Sequence, residues 1–253
     1  MRIISLRGLL LCALFLAFSA GPCLAANLTV SAAASLTNAF AEVKDAFVKK
    51  NPEVTVTTNF AASNPLLRQI EEGAPVDVFA SADQATMDKA AEKKLIDDAS
   101  RVNFALNELV LIVPADSKME LAGPEDLKKD DVKKIAIGNP DSVPAGRYAK
   151  ASLTASGLWD VLQPKYIMGE SVRQTLAYVS GGEVDAGIVY MTDARQAGDK
   201  VKIAKVLSGH DPVLYPIAVI KSAASPKEAK MFIDFVRSEE GVKILDKYGF
   251  AKP

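Results

Sequence analysis

Short apolar, β-prone runs alternate with helix-length segments along almost the whole chain, and this alternation restricts the fold more than any other feature. The strand-like runs fall at 28–32, 54–60, 78–80, 109–113, 134–137, 166–168, 186–190, 201–206 and 215–220. Helical patterns occupy most of the intervals, at 36–50, 65–72, 84–93, 146–156, 172–179 and 227–248, with a break expected near Ser238. In the first of them Leu36, Ala39, Phe40, Val43 and Phe47 recur at helical spacing. Strands joined by helices imply βαβ units and an α/β fold with largely parallel sheets. The longest polar cluster, 116–134, reads as a solvated loop with a short helix at 124–129.

Residues 1–25 read as a cleaved signal peptide rather than as part of the fold. Arg2 and Arg7 precede a short apolar core at 9–18, and Cys23-Leu24-Ala25 predicts cleavage after Ala25. That core is too short to span a bilayer, and no later run approaches ~18 apolar residues. Pro22 directly before Cys23 counts against a lipoprotein. Cys12 and Cys23 leave with the signal, so disulfides, a cysteine nucleophile and thiolate metal sites are excluded from the mature chain. The remainder carries 28 basic and 31 acidic residues, a net charge of −3, with no basic tract to meet nucleic acid. Its 228 residues are enough for two lobes, each with its own core.

The single histidine narrows the chemistry further. His210 lies in the turn-like Ser208-Gly209-His210-Asp211-Pro212 and reads as an exposed loop residue. A Ser-His-Asp hydrolase would need it as base, yet no Gly-x-Ser-x-Gly elbow occurs. No histidine pair at metal-ligand spacing is available either. The expectation is a protein that is not an enzyme.

In parallel sheets ligands bind beyond the carboxyl ends of strands, where loops enter helices. Five such junctions can be read here. Ser35 stands between the first strand and its helix and reads as an N-cap. Ala61-Ala62-Ser63-Asn64 precedes Pro65, so Ser63 or Asn64 reads as the second cap. The third is the loop 138–146, the fourth Gly169-Glu170-Ser171-Val172 with Ser171 as cap, and the fifth the strand end Tyr190. Helix N-termini can hold an anion through free N–H groups alone. No Lys or Arg stands at the junctions themselves, a pattern suited to a small desolvated anion held by neutral donors. Taken singly, each is as readily a cap, a turn or a half-buried aromatic. Arg68 and Asp83 leave an amino-acid ligand open.

The segments Ala32-Ala-Ala-Ser-Leu-Thr-Asn-Ala39, Gly73-Ala-Pro-Val-Asp-Val-Phe-Ala-Ser-Ala-Asp83, Val143-Pro-Ala-Gly-Arg-Tyr-Ala149, Gly187-Ile-Val-Tyr-Met-Thr-Asp-Ala194 and Lys247-Tyr-Gly-Phe250 span the mature chain. Through them it resembles the periplasmic molybdate-binding proteins that serve ABC importers, within the bilobed solute-binding superfamily. The resemblance implies a two-lobed periplasmic binding protein fold, each lobe a mostly parallel sheet flanked by helices, with the ligand cleft between. Lobe 1 is expected at 26–107 plus 215–253 and lobe 2 at 108–214. It further implies that molybdate or tungstate is held by Ser35, Ser63, Ala145, Val172 and Tyr190, with no cofactor and no direct protein–metal ligand. Relatives often carry several serines at the second site, where this chain has Ala61-Ala62-Ser63-Asn64, so Asn64 shares candidacy with Ser63. The implied partners are the membrane subunits of an ABC permease, met by a periplasmic monomer. Another small oxyanion or polar solute (sulfate, phosphonate or an amino acid) is the alternative ligand.

Overall fold

The computed structural model describes residues 26–253. The signal peptide expected over 1–25, with both cysteines, lies outside the described residues. β1 (Ala26–Ala33) leads through a 3-10 turn (Ala34–Leu36) into α1 (Thr37–Lys50), and β2 (Val54–Ala61) into α2 (Ser63–Glu71). β3 (Val78–Ala80) leads into α3 (Gln84–Glu92), and β4 (Val102–Asn107) runs almost directly into β5 (Leu109–Pro114). There follow β6 (Ile135–Gly138), α4 (Pro144–Ala155), the one-turn α5 (Trp159–Leu162), β7 (Tyr166–Gly169) and α6 (Val172–Ser180). The chain continues with β8 (Ala186–Tyr190), α7 (Met191–Ala197), β9 (Val201–Val206) and β10 (Val213–Val219). It closes with α8 (Pro226–Arg237) and α9 (Glu239–Lys247).

The strands form two five-stranded sheets, ordered β2-β1-β3-β10-β4 and β7-β6-β8-β5-β9. Each is parallel except for one strand, β10 in the first and β5 in the second, which runs against both neighbours. The reversed strands are the ones by which the chain enters each sheet from the other. β4 ends at the carboxyl edge of its sheet, and Glu108 alone separates it from β5, so β5 must start at the facing edge and run away from it. That short link makes the carboxyl edges of the two sheets confront each other. The strand-to-helix junctions of both lobes therefore open toward one cleft, the position at which α/β sheets bind ligands.

Helices pack on both sheets through the stripes that the sequence predicts. Ala39, Phe40, Val43 and Phe47 form the buried face of α1. Phe40 and Phe47 meet Phe232 of α8 edge-on, with ring centroids 6.0 and 5.3 Å apart. In the second sheet β5 and β8 are buried along their whole lengths. The break at Ser238 is present, with its hydroxyl capping α9 at the Gly241 amide. Strand β4 and helices α5 and α7 are additions to the expected pattern. β10 begins two residues before the Tyr215 boundary expected for the return to lobe 1. His210 is half-buried rather than exposed. Its ring packs against Tyr148 at 5.5 Å, and Nδ1 lies 2.7 Å from the Asp211 carbonyl oxygen.

Candidate functional site

Two of the expected helix caps are not caps. Ser35 lies inside the 3-10 turn, and α1 starts at Thr37 with no side-chain cap. The Ser35 hydroxyl points instead toward β10, where its Oγ is 2.9 Å from the Tyr215 hydroxyl. Ser63 is the first residue of α2, preceded by Ala62, and its Oγ accepts from the Ala82 amide at 3.1 Å. Pro65 accordingly takes the third helical position, not the first. Asn64 does not cap either. Its Nδ2 donates to the Asp141 carbonyl at 2.6 Å, and its Oδ1 accepts from Thr86 Oγ1 at 2.8 Å. In both places a hydroxyl that could have served its own helix bonds a neighbouring strand or loop, freeing the helix N–H groups for other acceptors.

On the opposite side, Ala145 and Val172 occupy the second position of α4 and the first of α6. Amides there have no intrahelical acceptor. Ser171 does cap α6, its Oγ accepting from the Gln174 amide at 3.2 Å. α4 starts against the end of β6, and only glycine at 146 permits that approach. A Cβ on Gly146 would lie 2.0 Å from the Gly138 carbonyl oxygen. Tyr190 ends β8 fully buried, with its hydroxyl 3.5 Å from the Ala82 carbonyl oxygen. Burial pushes this phenol well above its usual pKa, so it keeps its proton and remains a donor.

The five residues are linked by short steps. Ser63 and Tyr190 come from different sheets yet meet the same residue, Ala82. The Tyr190 and Tyr215 rings are 5.8 Å apart, and Tyr215 holds Ser35. Tyr148, one residue past the first turn of α4, packs on Tyr190 at 6.4 Å, which keeps the start of α4 beside this cluster. Arg173, next to Val172, donates to the Ser35 carbonyl at 3.3 Å. Three hydroxyls and two helix N-termini thus converge where the sheets face each other.

Two arginines that the junction pattern passed over stand in the walls. Arg147 of α4 crosses the cleft to Asp83 Oδ2 (2.7 Å from Nε) and to Thr86 Oγ1 (2.7 Å). Arg173 lies 2.7 Å from the fully buried Asp193, although outside hydrogen-bond alignment. Burial lifts the Asp193 carboxyl from 3.8 to about 6, against the opposing pull of Arg173. The signal that could have found them is their position. A cation in the first turn opposes the helix dipole, so a carboxylate facing it is to be expected. Arg68 is exposed and Asp83 is already paired, so neither supports an amino-acid site. Among the described residues no cluster of His, Cys, Asp and Glu is arranged to hold a metal ion.

Two α/β lobes whose carboxyl edges confront each other across buried hydroxyls and helix N-termini define a two-lobed solute-binding protein. Residues 28–251 match the bacterial extracellular solute-binding proteins. The chain is 41% identical to the molybdate-binding protein ModA of Escherichia coli, covering 88% of each chain. It is 37% identical to the ModA of Haemophilus influenzae, over 89% of this chain and 90% of that one. The solved periplasmic molybdate-binding protein of Azotobacter vinelandii superimposes with a TM-score of 0.80 at 25% identity, covering 89% of this chain and 99% of that one. The chain belongs to the bacterial extracellular solute-binding family and, within it, to the ModA-type periplasmic binding proteins.

Proposed function

We propose that this protein captures molybdate, or tungstate, between its lobes and delivers it to the membrane subunits of an ABC importer. The observation that carries the reading is the convergence of Ser35, Ser63 and Tyr190 with the N-termini of α4 and α6. In this reading the hydroxyls of Ser35, Ser63 and Tyr190 and the amides of Ala145 and Val172 donate to the oxygens of a tetrahedral dianion. Each such bond contributes ~1.5–3 kcal/mol, and together they must exceed the cost of stripping water from the ion. The nearby guanidiniums are matched by Asp83 and Asp193, so the walls add little net charge. Discrimination against sulfate, also a tetrahedral dianion, then rests on the size of the cage.

The lobes take residues 26–107 with the C-terminal part of the chain, and the segment between. Their crossings lie at Asn107–Glu108 and between β9 and β10. Contacts from one anion to both lobes favour closure because only the closed form makes all of them. The mature protein works as a periplasmic monomer without a cofactor, and the metal enters only as its oxyanion. A thermal-shift screen with molybdate, tungstate, sulfate, phosphate and amino acids tests the reading. A large rise in midpoint with molybdate and tungstate, and little with sulfate, is expected. A rise confined to phosphate or amino acids would overturn it.

A further inference from the structure

The Ser35 hydroxyl is one end of a hydrogen-bonded row whose other end lies between the lobes. Asn107 is the last residue of β4, where the chain leaves the first sheet. Its Oδ1 accepts from the Glu108 amide at 2.9 Å, which settles which end of the side-chain amide is which. Nδ2 therefore faces the other way and donates twice, to Thr192 Oγ1 in α7 at 2.9 Å and to the Tyr215 hydroxyl in β10 at 3.2 Å. The Tyr215 oxygen in turn lies 2.9 Å from Ser35 Oγ.

The proton count gives this row a direction. A phenol has one proton to donate. The Tyr215 oxygen already receives an N–H from Asn107, and Ser35 Oγ is its other partner among the described residues. The phenolic proton therefore goes to Ser35. Ser35 Oγ then accepts from Tyr215, and its own proton meets no acceptor among the described residues. The geometry points to Tyr215, backed by Asn107, as a positioning residue that fixes the Ser35 hydroxyl as a donor toward the captured oxyanion. This rests on the reading that molybdate meets Ser35, and it adds what makes that serine a committed donor. Without the row, the hydroxyl rotor is free to turn a lone pair toward the anion. A hydroxyl that is accepting a bond is also a stronger donor. Tyr215 is fully buried and its phenol is held well above the usual pKa, so the direction of the row does not invert near neutral pH.

Calorimetry with molybdate on the unsubstituted mature protein, Tyr215→Phe, Ser35→Ala and the double variant tests the row as a cycle. Tyr215→Phe is expected to weaken binding roughly tenfold on its own and less than about twofold when Ser35 is already alanine. Equal losses in both backgrounds would make Tyr215 a structural residue and overturn the inference, as would parental affinity in Tyr215→Phe. Should Tyr215→Phe not fold, Asn107→Asp serves instead. A carboxylate accepts only, so it draws the phenolic proton to itself and turns the Ser35 proton onto Tyr215. The added charge repels the dianion in either background, so a loss roughly tenfold greater with Ser35 present than in Ser35→Ala is expected, whereas parental affinity, or equal losses in the two backgrounds, overturns the inference. If the unsubstituted protein takes up no molybdate, the functional reading itself fails and the row falls with it. If only the variants behave otherwise than expected, the row alone fails.

Discussion

Adding one methyl group at Gly146 should damage both the fold and the cleft, by amounts that follow from the backbone. A Cβ there would meet the Gly138 carbonyl oxygen at 2.0 Å and the Asn139 carbonyl carbon at 3.0 Å. Both neighbours are main chain, so no side chain can swing aside. Reaching even the 3.0 Å limit of real Cβ contacts requires the start of α4 to move off the end of β6 by about 1 Å. Overpacking of this kind costs ~1–3 kcal/mol. For a chain of this size that corresponds to a fall in melting midpoint of roughly 2–12 °C. Ala145 is the preceding residue, and its amide moves with the helix. A bond of ~2.9 Å to an anion oxygen stretched by ~1 Å is no longer a hydrogen bond. The expected loss of ~1.5–3 kcal/mol is about 10- to 150-fold in affinity for molybdate. Differential scanning fluorimetry and calorimetry on Gly146→Ala measure the two effects. Gly123→Ala is the control, since a Cβ there meets nothing within 4 Å and the backbone is extended at φ −179°. Parental midpoint and parental affinity in Gly146→Ala would refute the reasoning. A lowered midpoint with unchanged affinity would remove the Ala145 amide from the donors.

Tyr190→Phe should weaken molybdate binding roughly tenfold while leaving the free protein's midpoint almost unchanged, because among the described residues its hydroxyl makes only the 3.5 Å contact to Ala82. Unfolding of the free variant would make Tyr190 structural. Arg147→Met should weaken binding by about tenfold or more in the same titration, since closing then buries the Asp83 carboxylate without its counter-charge. Unchanged affinity would mean that the ion pair only breaks even against water. Asp193→Asn should gain stability relative to the parent as pH rises. The folded protein holds this proton more tightly than the unfolded chain, so the contribution of Asp193 is greatest below pH 3.8, falls up to about 6 and is constant above. A variant-minus-parent difference in melting midpoint that stays flat between pH 4 and 6 would contradict the assignment.

The α/β alternation was readable because α1, α6, β5 and β8 carry their burial pattern in local sequence. β4 was not, because Val102-Asn103-Phe104-Ala105-Leu106-Asn107 mixes polar and apolar residues in a strand half-covered at the edge of its sheet. The seven-residue α7 is too short to show a period. At the site, the junction rule reached Ser35, Ser63 and Tyr190 from strand ends, whereas Ala145 and Val172 were named only through the resemblance of Val143-Pro-Ala-Gly146 and the fourth junction to the family's motifs. The roles of Ser35 and Ser63 as caps were misread for one reason. A hydroxyl ahead of a helix looks like a cap to any local rule, whereas Ser35 is claimed by Tyr215, 180 positions away, and Ser63 by Ala82. Arg147 and Arg173 were overlooked because each lies just inside its helix. Only the folded chain brings Asp83 and Asp193 against them.

The two legs joining the lobes differ in length, Glu108 alone on one side and residues 207–212 on the other. An extra residue in the longer leg has slack to disappear into and leaves both sheets as they were. The same insertion beside Glu108 must slide β5 along β8 and β9 or twist the facing edges out of line. The shorter leg thus acts as a molecular ruler. Through descent, insertions and deletions can accumulate at the exposed Asp211-Pro212 end of the longer leg, past the packed His210, while the spacing from Asn107 to Leu109 stays fixed.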